Sequence, residues 1–327
     1  MVVLTHSKSC QTENHVSKST DHATPIFLTG FARSGTTWVN HIFRDYFDVG
    51  MVNEGQFILT YGRKLPRYGD LSDPQHRRRL IRDLSRDDYF SILERNYRVT
   101  INWSRVLAIQ SGFAAIVLEI LRQVAEGTGK RLVGSKFPMF GWHLDLINSF
   151  FPDCRVVHVI RDGRDCALSQ RELFWGHQNT YMCARYWRDY LKKARHDGSK
   201  MRNRYFEIRY EDLLTEPETS MRRLEHFITA TDDYAGTLHF LETLESSRMD
   251  RINKWRQAML PRAQAIFEAV AGDVLQELGY PLTGVIRPAT PLAKACYAIH
   301  DRIMRESWYW ARRLWPMLPE RKRDLFR

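Results

Sequence analysis

A chain of 327 residues suffices for one large α/β domain or two small ones, and its 43% apolar and 27% charged content is that of an ordinary soluble globular protein with a sizeable core. The formal net charge of +11 suits phosphate-bearing ligands, nucleic acid or anionic lipid without choosing among them. Five cysteines (Cys10, Cys154, Cys166, Cys183 and Cys296) include no CxxC pair, which speaks against a zinc site or a disulfide framework and for a reducing, cytoplasmic setting.

Residues 1–24 are polar, lack an apolar stretch of signal-peptide length and read as a loose arm; no later run nears the roughly 20 apolar residues of a membrane span. Beyond the arm, short β-branched runs alternate with helical patterns. Ile26 to Gly30 reads as a buried strand, followed by a helix from about Thr36. Residues 62–100, rich in Arg and Asp, read as an insertion of short helices that shapes an acceptor site. A long helix is expected within Trp103 to Glu126, then a strand at Arg131 to Ser135 and a helix near Trp142 to Phe151. A strand at Arg155 to Ile160, helices near Arg164 to Phe174 and Tyr181 to His196, and a strand at Tyr205 to Tyr210 complete the pattern. Such alternation predicts a parallel sheet covered by helices, with ligands at the carboxyl ends of the strands.

The run "GFARSGTT", Gly30 to Thr37, lies between a strand and a helix and aims backbone N–H groups and the positive helix end at one small volume. It almost meets the triphosphatase pattern G-x-x-x-x-G-K-[ST], but Thr36 stands where the lysine belongs. The strand "RVVHVI" runs into Arg161, a cation where a magnesium scheme wants a carboxylate. Both departures argue against ATP or GTP hydrolysis. A cradle for one diphosphate-like group remains, supplemented by Arg33. In "VVHVIRDGRDCALSQ", Arg161 and Arg164 follow the strand, and a helix beginning near Asp162 would set Arg161, Asp165 and Ser169 along one face able to clasp a second phosphate.

These two segments, followed by "IRYEDLLTEPETSMRRLEHFI" and "INKWRQAML…VAGDVLQELGY", resemble the sulfotransferases that use 3′-phosphoadenosine 5′-phosphosulfate (PAPS). The resemblance runs from about Pro25 to Leu282 and implies a three-layer, P-loop-NTPase-like α/β fold with a central parallel sheet, a nucleotide-borne sulfuryl donor, a hydroxyl acceptor, in-line displacement and no metal requirement. Carried over by position, it implies that Arg33, Ser34, Gly35, Thr36 and Thr37, with Trp38 beside them, hold the 5′-phosphosulfate end. Arg161 and Ser169 would hold the 3′-phosphate, and Tyr210 would lie near the adenosine. Ser246, Ser247, Arg248 and Lys254 fall in a stretch resembling the family's cofactor-covering loop. Arg33 stands where cytosolic members have lysine and where Golgi-type and several bacterial members have arginine; it would neutralise the bridging oxygen as the sulfuryl group leaves.

A general base must stand beside the sulfur to take the acceptor's proton. Cytosolic members supply a histidine, but this chain reads "SKFPMFGWH" in that region, with no histidine at the matching position. Carboxylate-using members, such as the tyrosylprotein sulfotransferases, have a glutamate about two dozen residues past the loop, and "DVGMVNEGQF" presents Glu54. The resemblance therefore implies Glu54 as base and Lys136 as the lysine aimed at the sulfuryl group. His41 and His143 are reserve candidates.

Residues 283–327 lie beyond the resemblance and carry ten Lys/Arg against four Asp/Glu, +6 of the total charge. On a helix, Leu292, Cys296, Ile299, Ile303, Trp310 and Leu314 form one stripe, widened by Tyr297, Met304, Trp308 and Trp315. Arg302, Arg305, Arg312 and Arg313 lie on the other side. Three partners suit such a helix: the protein's own body, a second subunit, or an anionic membrane surface. Two other functions compete, a P-loop kinase or other phosphoryl transferase and a non-catalytic nucleic-acid binder. The first is opposed by Thr36 and the missing carboxylate, the second by the absence of a long basic stripe outside the tail or of any recognised RNA or DNA motif.

Overall fold

The computed structural model describes residues 24–171, 173, 176–244 and 250–314, the side chains of 96 and 308–314 excepted. The expected arm of residues 1–24 lies, but for its last residue, outside them, as do Ser246, Ser247, Arg248 and Trp315.

Five parallel strands form one sheet: β1 (Ile26–Gly30), β2 (Val49–Asn53), β3 (Leu132–Lys136), β4 (Arg155–Ile160) and β5 (Tyr205–Arg209), in the order β2-β3-β1-β4-β5. Helices cover both faces, giving the α/β three-layer architecture. Strand side chains alternate between two cores: in β1, Phe27 faces one cluster while Ile26 and Leu28 face the other, and in β4 Val156 and Ile160 oppose Val157 and Val159. The connection after β1 runs toward β2 on one side and the connection after neighbouring β4 toward β5 on the other, which opens a crevice at the carboxyl ends of β1 and β4.

The strands expected at β1 and β4 match residue for residue, β3 is displaced by one residue at both ends, and β5 ends one residue early. Helix α1 (Thr36–Tyr46) starts where the sequence placed it. The expected helix over Trp103 to Glu126 is instead two, Trp103–Ala108 and α2 (Phe113–Gly127), because Ile109 turns extended ahead of Ser111 and Gly112. Beyond β3 the chain makes a 3₁₀ stretch, Pro138–His143, before the helix Leu144–Phe150. Helices α3 (Gly163–Arg171), α4 (Thr180–Ser199), α5 (Pro217–Thr229), α6 (Pro261–Glu277) and α7 (Pro291–Leu314) follow. The insertion contains the helices Pro74–Ser85 and Asp88–Tyr97.

Strand β2 escaped the sequence reading because Gly50 interrupts a short apolar run. The glycine is a packing requirement: a Cβ there would lie 2.4 Å from the Ala125 Cα on α2. Gly50→Ala is expected to cost about 1–3 kcal/mol of folding stability, read as a lower urea midpoint.

The centre of β4 holds a fully buried histidine, His158, whose Nδ1 lies 2.6 Å from the Tyr205 hydroxyl. Burial pushes its pKa down to about 3, whereas in the unfolded chain the ring titrates near its ordinary value of about 6.5. The unfolded state then binds a proton that the folded state refuses. This residue's share of stability is complete above about pH 6.5 and is lost progressively as pH falls toward 3. Urea unfolding over that range should show a shallower acid loss for His158→Gln than for the unaltered chain.

Candidate active site

The turn after β1 is shaped by backbone that few residues adopt. Gly35 has φ 94°, and a Cβ there would sit 2.3 Å from the Tyr210 ring, so only glycine lets the turn pass under that tyrosine. Arg33 also has a positive φ, 73°, with its side chain exposed at the rim. Helix α1 then starts at Thr36 with no side chain capping it, leaving its first N–H groups directed into the crevice. The Ser34 hydroxyl is buried beneath the loop, turned toward Gly30, and has no protein partner among the described residues.

The second basic segment converges on the first. Arg161 Nη1 donates to the Arg33 carbonyl at 3.1 Å and Nη2 to the Arg251 carbonyl at 2.7 Å, while its guanidinium lies 4.7 Å from the Tyr210 ring centre. Its buried Nε has no partner among the described residues. Arg33 Nε donates to the Ser169 hydroxyl at 2.8 Å, joining the two loops directly. Among the described residues Arg33, Arg161 and Arg251 form no ion pair with a carboxylate, so three guanidinium groups concentrate positive charge at one place, with Asp165 near Arg161 and Asp45 and Glu54 also on the lining.

The expected single face of Arg161, Asp165 and Ser169 does not form. Helix α3 begins at Gly163, so Arg161 precedes it, and the Asp165 carboxylate accepts from the backbone N–H groups of Asn253 and Trp255 at 2.9 Å each. Arg164 is wholly buried, bonded to Asp162 and Glu268 and stacked 3.5 Å from the Trp255 ring centre. This pair of residues fixes the 253–255 segment to α3, and thereby holds neighbouring Arg251 at the crevice. Their role is architectural.

Glu54 and Lys136 meet at the carboxyl edge of the sheet, where Asn53 of β2 is in register with Lys136 of β3. Lys136 is buried and its Nζ donates to Glu54 Oε1, while the glutamate side chain remains 47% exposed. Glu54 has φ 54°, a strained conformation for a side-chain-bearing residue. Both flanks pin it: the Tyr89 hydroxyl donates to the Asn53 carbonyl at 2.9 Å, and the Gly55 N–H to the Lys136 carbonyl at 3.1 Å.

One cleft of about 670 Å³ is lined by Arg33, Gly35, Thr36, Thr37, Trp38, Glu54, Lys136, Arg161, Ser169 and Tyr210. Trp38 packs edge-on against Tyr210, with ring centres 5.4 Å apart. His41 also faces the cleft, 3.2 Å from Arg44 Nη2, whereas His143 is paired with Arg63 and absent from the lining; burial and that arginine lower its pKa. Lys254 is exposed and likewise absent from the lining. Ala32, Ile42, Asp45, Tyr46, Pro138 and, from late in the chain, Phe240, Thr243, Leu244 and Arg251 complete the wall. Sequence reading missed the last four, since only folding brings α1 against residues some 200 positions later. Among the described residues, no group of three or more His, Cys, Asp or Glu side chains could hold a metal ion.

The sulfotransferase family profile matches residues 25–233, well over half of the chain and all the strands that build this cleft. The chain belongs to the sulfotransferase family. No curated protein matches this sulfotransferase by sequence. Among solved structures it is similar to the sulfotransferase domain of the Synechococcus PCC 7002 olefin synthase, at 20% identity over 80% of this chain and 98% of that one, TM-score 0.49. It is also similar to the sulfotransferase domain from the curacin biosynthetic pathway, at 15% identity over 80% and 99%, TM-score 0.49. A mouse sulfotransferase complexed with PAP aligns at 11% identity over 78% of this sulfotransferase and 88% of its own chain, TM-score 0.41.

Proposed function

We propose that this sulfotransferase takes its sulfuryl group from PAPS and delivers it to a hydroxyl acceptor, a carbohydrate, lipid or peptide, with Glu54 as general base. The observation that carries the reading is the convergence of an uncapped helix start, three guanidinium groups with no ion pair among the described residues and the Glu54–Lys136 pair in one cleft. The residues fit a doubly anionic nucleotide: Arg161 Nε is a buried donor with no partner among the described residues, helix α1 begins uncapped, and the glycine at 35 lets the loop pass beneath Tyr210. Arg33, Ser34, Gly35, Thr36 and Thr37 would hold the 5′-phosphosulfate, Arg161 and Ser169 the 3′-phosphate, and Trp38 and Tyr210 would flank the adenosine. Ser246, Ser247, Arg248 and Lys254 would cover it. When bound, PAPS supplies the sulfuryl group and a stable nucleotide leaving group.

Glu54 accepts the proton of the acceptor hydroxyl as that oxygen attacks, which general-base positioning beside the donor requires. Lys136 Nζ orients that carboxylate and holds a positive charge at the point where the transferring group gathers negative charge. Arg33, whose Nε now donates to Ser169, would hold its positive charge beside the donor's leaving group and stabilise negative charge developing there.

Calorimetry in EDTA with adenosine 3′,5′-bisphosphate, and separately with ATP plus magnesium and with a short oligonucleotide, tests the reading. The bisphosphate is expected to bind without metal and more tightly than ATP. Preferential binding of ATP with magnesium would favour a phosphoryl transferase, and preferential binding of the oligonucleotide a nucleic-acid binder. A PAPS-driven activity screen over sugar, lipid and peptide hydroxyls then identifies the acceptor.

A further inference from the structure

Helix α7 docks on the protein by the wrong face for an ordinary amphipathic helix. Asp301 is its most buried described residue, 1% exposed, and pairs with His177 at 3.1 Å and with Arg305. The Tyr297 carbonyl accepts from Asn179 at 3.0 Å, and the Tyr297 ring stacks on Tyr181 with centres 5.4 Å apart. These contacts hold the polar side of α7 against the start of α4. The apolar stripe on the opposite side faces outward: Leu292 is 75%, Ile299 59% and Ile303 57% exposed, with Cys296 exposed between them. Val285 and Ile286, on the strand of chain leading into the helix, are exposed as well.

Leaving three or more large aliphatic side chains in water along one stripe forgoes burial that the same helix would gain by rotating half a turn. The Asp301–His177 pair prevents that rotation. The stripe is therefore held outward by specific polar contacts and has no cover among the described residues.

We propose that α7 seats the protein on an anionic lipid bilayer, lying in the plane of the interface with Leu292, Ile299 and Ile303 in the acyl boundary. Charge selects this occupant over a second copy of the chain. By sequence, residues 283–327 carry a net +6, a sign that a bilayer of anionic lipid complements and a second copy of the chain repeats. Lys294 is exposed, and its long stem allows the ammonium to reach headgroups while the stripe lies deeper; Arg302 pairs with Glu306 and Arg305 with Asp301. No described helix is long and apolar enough to cross a membrane, which fits a helix that lies on the surface.

The test uses the full chain and flotation with vesicles of phosphatidylcholine alone or with phosphatidylserine added. The protein should float with the anionic vesicles, weakly with the neutral ones, and less at high salt. Ile299→Glu with Ile303→Glu, two outward side chains with no described polar contacts, should reduce flotation by about tenfold or more. That variant should keep its melting temperature and its affinity for adenosine 3′,5′-bisphosphate, which separates loss of the surface from loss of the fold. Absence of flotation with either vesicle, or equal flotation of the double variant, overturns the proposal. A lipid-free dimer in sedimentation that the double variant dissolves would overturn it in favour of a second copy.

Discussion

Glu54→Gln is expected to lower kcat by about 10²-fold or more while leaving the affinity for adenosine 3′,5′-bisphosphate nearly unchanged, the signature of a lost proton acceptor rather than a lost binding group. The amide is isosteric and still accepts from Lys136 Nζ, so the pair's geometry and the pinned backbone at φ 54° survive. What it cannot do is take a proton. Retained bisphosphate affinity certifies that the cleft is intact in the variant. Turnover within a few-fold of normal would remove Glu54 from the chemistry and turn attention to His41, which faces the same cleft. His143, paired with Arg63 outside the lining, is the weaker substitute.

Arg161→Ala should weaken bisphosphate binding by about 1.5–3 kcal/mol, roughly 10- to 150-fold, the scale of a charge-assisted hydrogen bond to a phosphate. The arginine also ties the Arg33 and Arg251 carbonyls together, so part of any loss could pass through the loop. Adenosine 5′-monophosphate separates the two effects because it lacks the 3′-phosphate. If Arg161 contacts that phosphate, the monophosphate binds both proteins alike. An equal loss for both nucleotides would assign Arg161 to loop support, and no loss for either would contradict the 3′-phosphate role.

Much of the cleft was legible because its parts are contiguous in the chain. Gly30 to Thr37 and Arg161 to Ser169 each carry strand end, turn and helix start within about ten residues, so spacing alone exposes them. The helix register of the second segment was not legible. Asp165 read as part of a ligand-facing stripe and Arg164 as a second cation after the strand, yet folding turns Asp165 to the 253–255 backbone and buries Arg164 against Glu268 and Trp255. Residue type cannot distinguish an arginine that awaits an anion from one already satisfied by partners 104 and 117 positions away. The same limit hid β2, whose Gly50 looks like a strand breaker until α2 is seen to pack on it.

By itself, the sequence determined the alternation of strands and helices, the two anion-seeking turns, the family, and the presence of a basic amphipathic tail. These are consequences of local periodicity and of short motifs whose backbone demands are written in adjacent residues. The tertiary structure alone decided that Glu54 and Lys136 form a pair, that Phe240, Thr243, Leu244 and Arg251 help wall the cleft, and that Leu292, Ile299 and Ile303 of α7 face outward. Each of those depends on which distant side chain satisfies a buried charge or fills a shared volume, and such choices are settled only when the whole chain packs.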